Sequence, residues 1–261
     1  MMEDQGVPQK TVLILGHPGH ELRVLGWLRK HRPLVLVMTD GAGRGQEPRT
    51  ALSRSLLERA GARCGQPFGQ VSDPSLYQAV LDQDFPFFTG FRDAMAEVLV
   101  AEKATCVAGD AIEGYNPAHD LCRLLVDRAV NLASARLGWD IQNFQFPLTG
   151  HPAQWAFKPG ATCLQLDEAG LRTKLEDLRW YARQAGGTLQ AEIEELLAKF
   201  GEGGLAQEWL SPASADEDLA AFRAQAPFYE RHGEKRVAEG HYQFVIRYHQ
   251  HIAPILAALQ G

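Results

Sequence analysis

Short, wholly apolar runs alternate along this chain with stretches in which apolar residues recur every three or four positions. "TVLILG", from Thr11 to Gly16, and "PLVLVMT", from Pro33 to Thr39, lack the polar-apolar alternation of a half-exposed strand. Continuous runs of this length predict strands buried on both faces. From Glu21 onward, Val24, Leu25 and Leu28 fall at helical spacing, so a helix is expected just past the turn "HPGH". Further helices are expected from Thr50 to Arg63, near Phe91–Glu102, and from His119 to Arg136. "TCVAG", Thr105–Gly109, reads as a third buried strand, and Trp139–Phe146 as a fourth. Residues 66–90, with "DPSLYQ" and "DFPFF", read as an irregular excursion around a short helix. The β-α-β-α order predicts a Rossmann-like α/β core over residues 1–170, a mostly parallel sheet flanked by helices. Beyond residue 170 the pattern changes to charged helical segments at Leu171–Gln184, Thr188–Phe200 and Glu239–Leu259. They predict a helical C-terminal part, 171–261, packed on the same domain.

Composition narrows the classes. At 261 residues, 45% apolar and 22% charged, the chain can bury a sizeable core. A net charge of −6, with acids and bases interspersed, carries no nucleic-acid footprint. No apolar run approaches the roughly 18 residues of a membrane span. The first ten residues, "MMEDQGVPQK", lack a signal-peptide pattern, and four scattered cysteines do not form a disulfide framework, so a cytoplasmic location is expected. A small-molecule substrate follows as the expected partner, with room left for a homo-oligomer.

Candidate chemistry gathers at strand ends. Open parallel sheets bind ligands at the carboxyl ends of their strands. His17 and His20 leave the first strand there, and His119 follows the loop after the strand ending at Gly109. His119, Cys122, Val126 and Ala129 share helical spacing, which turns His119 inward. Three imidazoles converging on one crevice match a catalytic zinc site, with three protein ligands and an open position.

"LILGHPGHE", then "VMTDGAGRG", then "GYNPAHDLCRLLVDRAV" resemble the LmbE/PIG-L family of zinc-dependent N-deacetylases. That family shows His-Pro-Asp-Asp-Glu after its first strand, a Thr-(Asp/Asn)-Gly loop after its second, and His-Pro-Asp-His at a later helix start. "KLEDLRWYARQ" is a looser likeness to the family's Lys…Tyr…Gln helix, and the resemblance spans roughly residues 10–185. It implies a divalent metal, Zn2+ first and Fe2+ second, held by His17, His20 and His119, and hydrolysis of an N-acetyl group on an amino sugar or sugar conjugate. The departures bear on the proton-transfer apparatus. The family's general base falls on Gly19, its metal-binding aspartate on His20, its intermediate-stabilising histidine on Asn116, and the aspartate orienting that histidine on Ala118.

Some other acid must then carry the proton. Asp110 is the first candidate because its loop leads to His119. Asp40 and Glu113 are alternatives, and Glu21 suits the support of a ligand histidine or a helix cap. Asn116 is an amide donor for an oxyanion or an ordinary Asn-Pro turn residue. Arg44 and Tyr115 are candidate substrate contacts. Two rival readings stay open here: a metal- or carbohydrate-binding protein that has lost catalysis, and a metal enzyme of changed chemistry on the same fold.

Overall fold

The structure is a computed structural model describing residues 10–43, 47–213, 219–220, 222 and 225–260. Its centre is β1 (Thr11–Leu15), flanked by β2 (Leu34–Thr39) and β4 (Cys106–Asp110), each buried along its length. β3 (Arg63–Val71), β5 (Gln142–Phe146), β6 (Thr162–Gln165) and β7 (Gln207–Pro212) complete a seven-stranded sheet in the order β3-β2-β1-β4-β5-β7-β6. The first five strands run parallel; β7 is antiparallel to both β5 and β6.

Alternation within the apolar runs explains their burial. Val12, Ile14, Leu36 and Met38 face one core with α4 (Phe85–Glu102) and α5 (Pro117–Leu137). Leu13, Leu15, Val35 and Val37 face the other, against Leu28 of α1 (Leu25–His31) and Leu57 of α2 (Thr50–Arg59). Each leucine or isoleucine so buried contributes about 1.5–3 kcal/mol. A third cluster joins α6 (Glu168–Ala185) and α7 (Gly187–Phe200) to Leu22, Leu25 and Leu56. Strand order reverses between β1 and β4, so the crevice of an open α/β sheet opens at their carboxyl ends.

Several expected elements differ. The chain past "HPGH" first forms a 3-10 turn, His20–Val24, before α1 begins. Residues 66–90 hold most of β3, then α3 (Asp73–Asp82) and the start of α4. β3 is an edge strand, so "RCGQPFGQV" needs no continuous apolar run. The segment after 170 is not helical throughout, since β7 enters the sheet. Of the helix expected over Glu239–Leu259, a π-turn at Tyr248–Ile252 and a short helix at Ala253–Ala258 form, after a separate helix at Phe228–Ala238 that ends before it.

Candidate metal centre

Four adjacent parallel strands each deliver one part of the site from their carboxyl ends. β1 runs into His17 and the turn carrying His20, β2 ends on Thr39, β3 leads to Asp73 at the start of α3, and β4 ends on Asp110. α5 adds His119 from its first turn, where Pro117 fits the N1 position and Asn116 caps the helix through Oδ1 on the Ala118 N–H, 2.8 Å.

The three imidazoles form a compact cluster. Ring centroids of His17 and His20 are 5.1 Å apart, those of His17 and His119 5.0 Å, and those of His20 and His119 4.5 Å. One nitrogen from each lies within 4.8 Å of the other two. Hydrogen bonds assign the tautomers. Thr39 Oγ1 donates to the Gly16 carbonyl at 3.1 Å, so it accepts from His17 Nδ1 at 2.7 Å. Asp73 Oδ1 stands 3.0 Å from the same Nδ1. Asp110 Oδ2 accepts from His20 Nδ1 at 2.8 Å and from the Gly16 N–H at 2.7 Å. Both Nε2 atoms therefore carry lone pairs, and His17 Nε2 is buried with no hydrogen-bond partner. His119 Nδ1 is likewise buried without one. Burial, followed by the neighbouring His20 and His17, holds His119 well below the ordinary histidine range and keeps it neutral. Two orphaned nitrogens among three convergent rings fit a divalent ion such as zinc, bound at about 2.0–2.1 Å per imidazole nitrogen.

Carboxylates back two of these rings. Asp110 is 1% exposed, and its carboxylate sits behind His20 rather than on the cavity wall, a posture suited to fixing a ligand. The expectation for it was a proton carrier. Desolvation opposes ionisation of Asp73, yet the neighbouring His17, Thr39 and Arg49 outweigh it and hold the carboxyl below its usual range. Glu21 is fully buried. It accepts from the Gly19 N–H at 2.7 Å and from Ser53 Oγ, which also meets the Tyr181 hydroxyl at 3.1 Å. Burial raises the Glu21 carboxyl despite these donors. Asp40 Oδ1 accepts from the Ala42 N–H at 2.8 Å and does not line the cavity. Glu113 takes the Leu148 and Thr149 N–H groups and the Thr149 hydroxyl, tying down that loop.

The histidines stand in a cavity of about 630 Å³. Asn116 lines it. Its Oδ1 accepts from Ala118 and from the Tyr77 hydroxyl at 3.2 Å, which leaves the amide nitrogen as its donor end. Tyr115, 53% exposed, lies at the wall and stacks on Phe228 with ring centroids 5.4 Å apart. Arg44 falls outside the described residues. Arg49 lines the cavity and donates to the Pro18 carbonyl at 3.3–3.4 Å. Sequence reasoning missed Asp73, Arg49 and the α7 wall. Asp73 carries a faint signal, a Ser-Asp-Pro helix start after a strand, while α7 carries none. Gly19 adopts φ +107°, a conformation strained for any residue with a side chain.

No protein-family model and no curated protein matches the sequence. Solved structures do. The zinc-inhibited form of the teicoplanin deacetylase Orf2 superposes with a TM-score of 0.51 at 14% identity, covering 78% of this chain and 97% of its own. The A40926 pseudoaglycone deacetylase Dbv21 gives 0.52 at 17% identity, covering 79% and 97%. This chain has the fold of these deacetylases. A conserved protein of Thermus thermophilus shares it too, with a TM-score of 0.51 at 18% identity, covering 78% of this chain and 93% of its own.

Proposed function

We propose that this protein is a metal-dependent amide hydrolase of the N-deacetylase type, acting on an N-acylated amino sugar or sugar conjugate. The observation that carries the reading is the pair of buried, unpartnered nitrogens, His17 Nε2 and His119 Nδ1, in a cluster completed by His20. The shared fold, one of whose bearers is described as a zinc-inhibited deacetylase, and the resemblance around "HPGHE" support the chemistry and the substrate class. His17, His20 and His119 would hold the ion, zinc before iron, and the ion would supply Lewis acidity toward water and the acyl oxygen.

The protein's own residues do the remaining work. Thr39 and Asp73 fix the ring of His17, and Asp110 fixes that of His20, so that neither ligand must reorganise during the reaction. The neutral His119 offers a lone pair without a proton to displace. The Asn116 amide nitrogen donates to the oxygen that gains charge as the acyl carbon becomes tetrahedral. Leu22, Leu189 and Ile193 give the cavity an apolar side.

One observation favours a second reading, a binding protein that has lost turnover: φ +107° at Gly19 would strain an aspartate placed there. Metal analysis of protein purified without chelator, beside His20→Ala and His119→Ala, tests the hydrolase. About one zinc or iron per chain, lost in both variants, with acetate released from N-acetyl sugars, is the expected result. Wild type that takes up no zinc overturns it.

A further inference from the structure

The described acids close to the histidines are nearly all committed. Asp110 holds His20, Asp73 holds His17, Glu21 is sealed against Ser53 and Gly19, and Glu113 ties down Leu148 and Thr149. The carboxylates that line the cavity are Asp73, Glu192 and Glu195, the last two on α7.

α7 meets the site along one stripe. Leu189, Glu192, Ile193 and Leu196 line the cavity at the i, i+3, i+4, i+7 spacing of a single helix face. The three apolar members also pack with Tyr181 on α6, which anchors the helix. Glu192 is an exposed carboxylate on the cavity side of this stripe, and Glu195 and Lys199 also line the cavity from α7. The register of that face over the site is given by Leu189, whose Cδ2 lies 3.7 Å from where a Cβ on Gly19 would stand. Glu192 follows Leu189 by one turn, and Glu195 lies a turn farther along the helix. Glu192 lines the same cavity as His20 and Arg49.

We propose that Glu192 supplies, from α7, the proton-carrying carboxylate that the HPGHE turn lacks at Gly19. The proposal rests on the hydrolase reading above. In the step, the Glu192 carboxylate takes one proton from the attacking water as the water oxygen bonds to the acyl carbon. It delivers that proton to the amide nitrogen as the C–N bond breaks. The products are the carboxylic acid and the free amine, and Glu192 ends as the carboxylate it began as. Partial desolvation raises the Glu192 carboxyl above the usual glutamate value, against the pull of Arg49 and His20.

Two arms test this, one without turnover. In the first, Glu192→His and Glu195→His are titrated with zinc against a chelator. If position 192 faces the cluster, Glu192→His adds a fourth imidazole and tightens zinc at least about tenfold, while Glu195→His leaves its affinity at the wild-type value. Equal affinities in wild type and Glu192→His overturn the placement. In the second, zinc-loaded Glu192→Gln is assayed on N-acetylglucosamine. The expected result is a fall in kcat of about 100-fold or more, with KM within threefold and zinc stoichiometry intact. A kcat within threefold of wild type overturns the proposal. Wild type that binds zinc but releases no acetate counts against the hydrolase reading, and the zinc arm then decides the position of Glu192 alone. Wild type that binds no zinc removes both.

Discussion

Asp110 and Glu208 are carboxylates of equal burial, each 1% exposed, and they do opposite things. Glu208, on β7, accepts from the Gly26 and Trp27 N–H groups at 2.8 and 2.7 Å and from Lys174 Nζ at 2.7 Å. Its partners are the backbone at the start of α1 and one buried ammonium. That is a staple joining sheet, α1 and α6. Asp110 accepts from a single backbone N–H and a histidine ring, and its Oδ1 stays unpartnered. A buried carboxylate saturated by the fold serves the fold. One that spends its bond on a ring aimed into a cavity serves what the cavity holds.

The largest expected effect breaks the first half of that contrast. Glu208→Ala strands the Lys174 ammonium, which side-chain exposure of 3% keeps from water, along with two N–H groups at the head of α1. Removing one partner of a buried pair costs about 3–5 kcal/mol, measurable by denaturant unfolding. Zinc affinity of the folded fraction should match wild type. A loss below about 1 kcal/mol would mean that the pair contributes little.

Asp110→Asn tests the other half. The amide can still accept from the Gly16 N–H, so the fold should lose little. His20 loses its carboxylate anchor, and zinc affinity should drop by about 10–100-fold, the usual penalty for removing the group behind a ligand. Calorimetry with zinc checks it. An unchanged affinity together with a large loss of stability would make Asp110 a second staple and erase the comparison.

The same contrast explains what was legible. β1, β2 and β4 declare themselves because both faces are buried and their runs are continuously apolar, and the histidines stand where such strands end. His17, His20 and His119 come together as the sequence suggests. Their supporting groups were harder to read, because Asp73 reaches His17 only through the lie of β3, an edge strand without an apolar run. Glu208 was illegible for a related reason: "QEWLSP" is a short antiparallel strand inserted late in the chain, and its partners come from the first and sixth helices. The α7 helix was readable as a helix, but spacing alone says which residues share a face, not which cavity the face will cover. The 3-10 turn at His20–Val24 escaped because its apolar spacing is shared with the α-helix that follows.

A smaller effect is expected at Asn116, where a fold role and a site role meet in one side chain. Asn116→Ala removes the N-cap acceptor of α5 and the partner of the Tyr77 hydroxyl, at a cost of about 1 kcal/mol. Asn116→Asp keeps the cap and removes the amide donor. Stability near wild type with acetate release cut at least about tenfold in Asn116→Asp would separate the two roles, and equal losses of stability in both variants would leave only the cap.

The smallest effect is a pH dependence at Glu113, a partly buried carboxylate that belongs with Glu208 as a tie within the fold. Burial raises its carboxyl above the ordinary 4.5, although Thr149 and Leu148 donate to it and Arg23 attracts it. A carboxyl raised in the folded state binds protons more readily there than in the unfolded chain. Stability from this group is therefore greatest at low pH and declines as pH rises from about 4.5 through the folded value, then levels. Thermal unfolding of wild type and Glu113→Gln across that range should show wild type losing ground to the variant as pH increases, with a constant difference above it. Parallel curves would mean that the donors from the 148–149 loop fully offset the burial of Glu113.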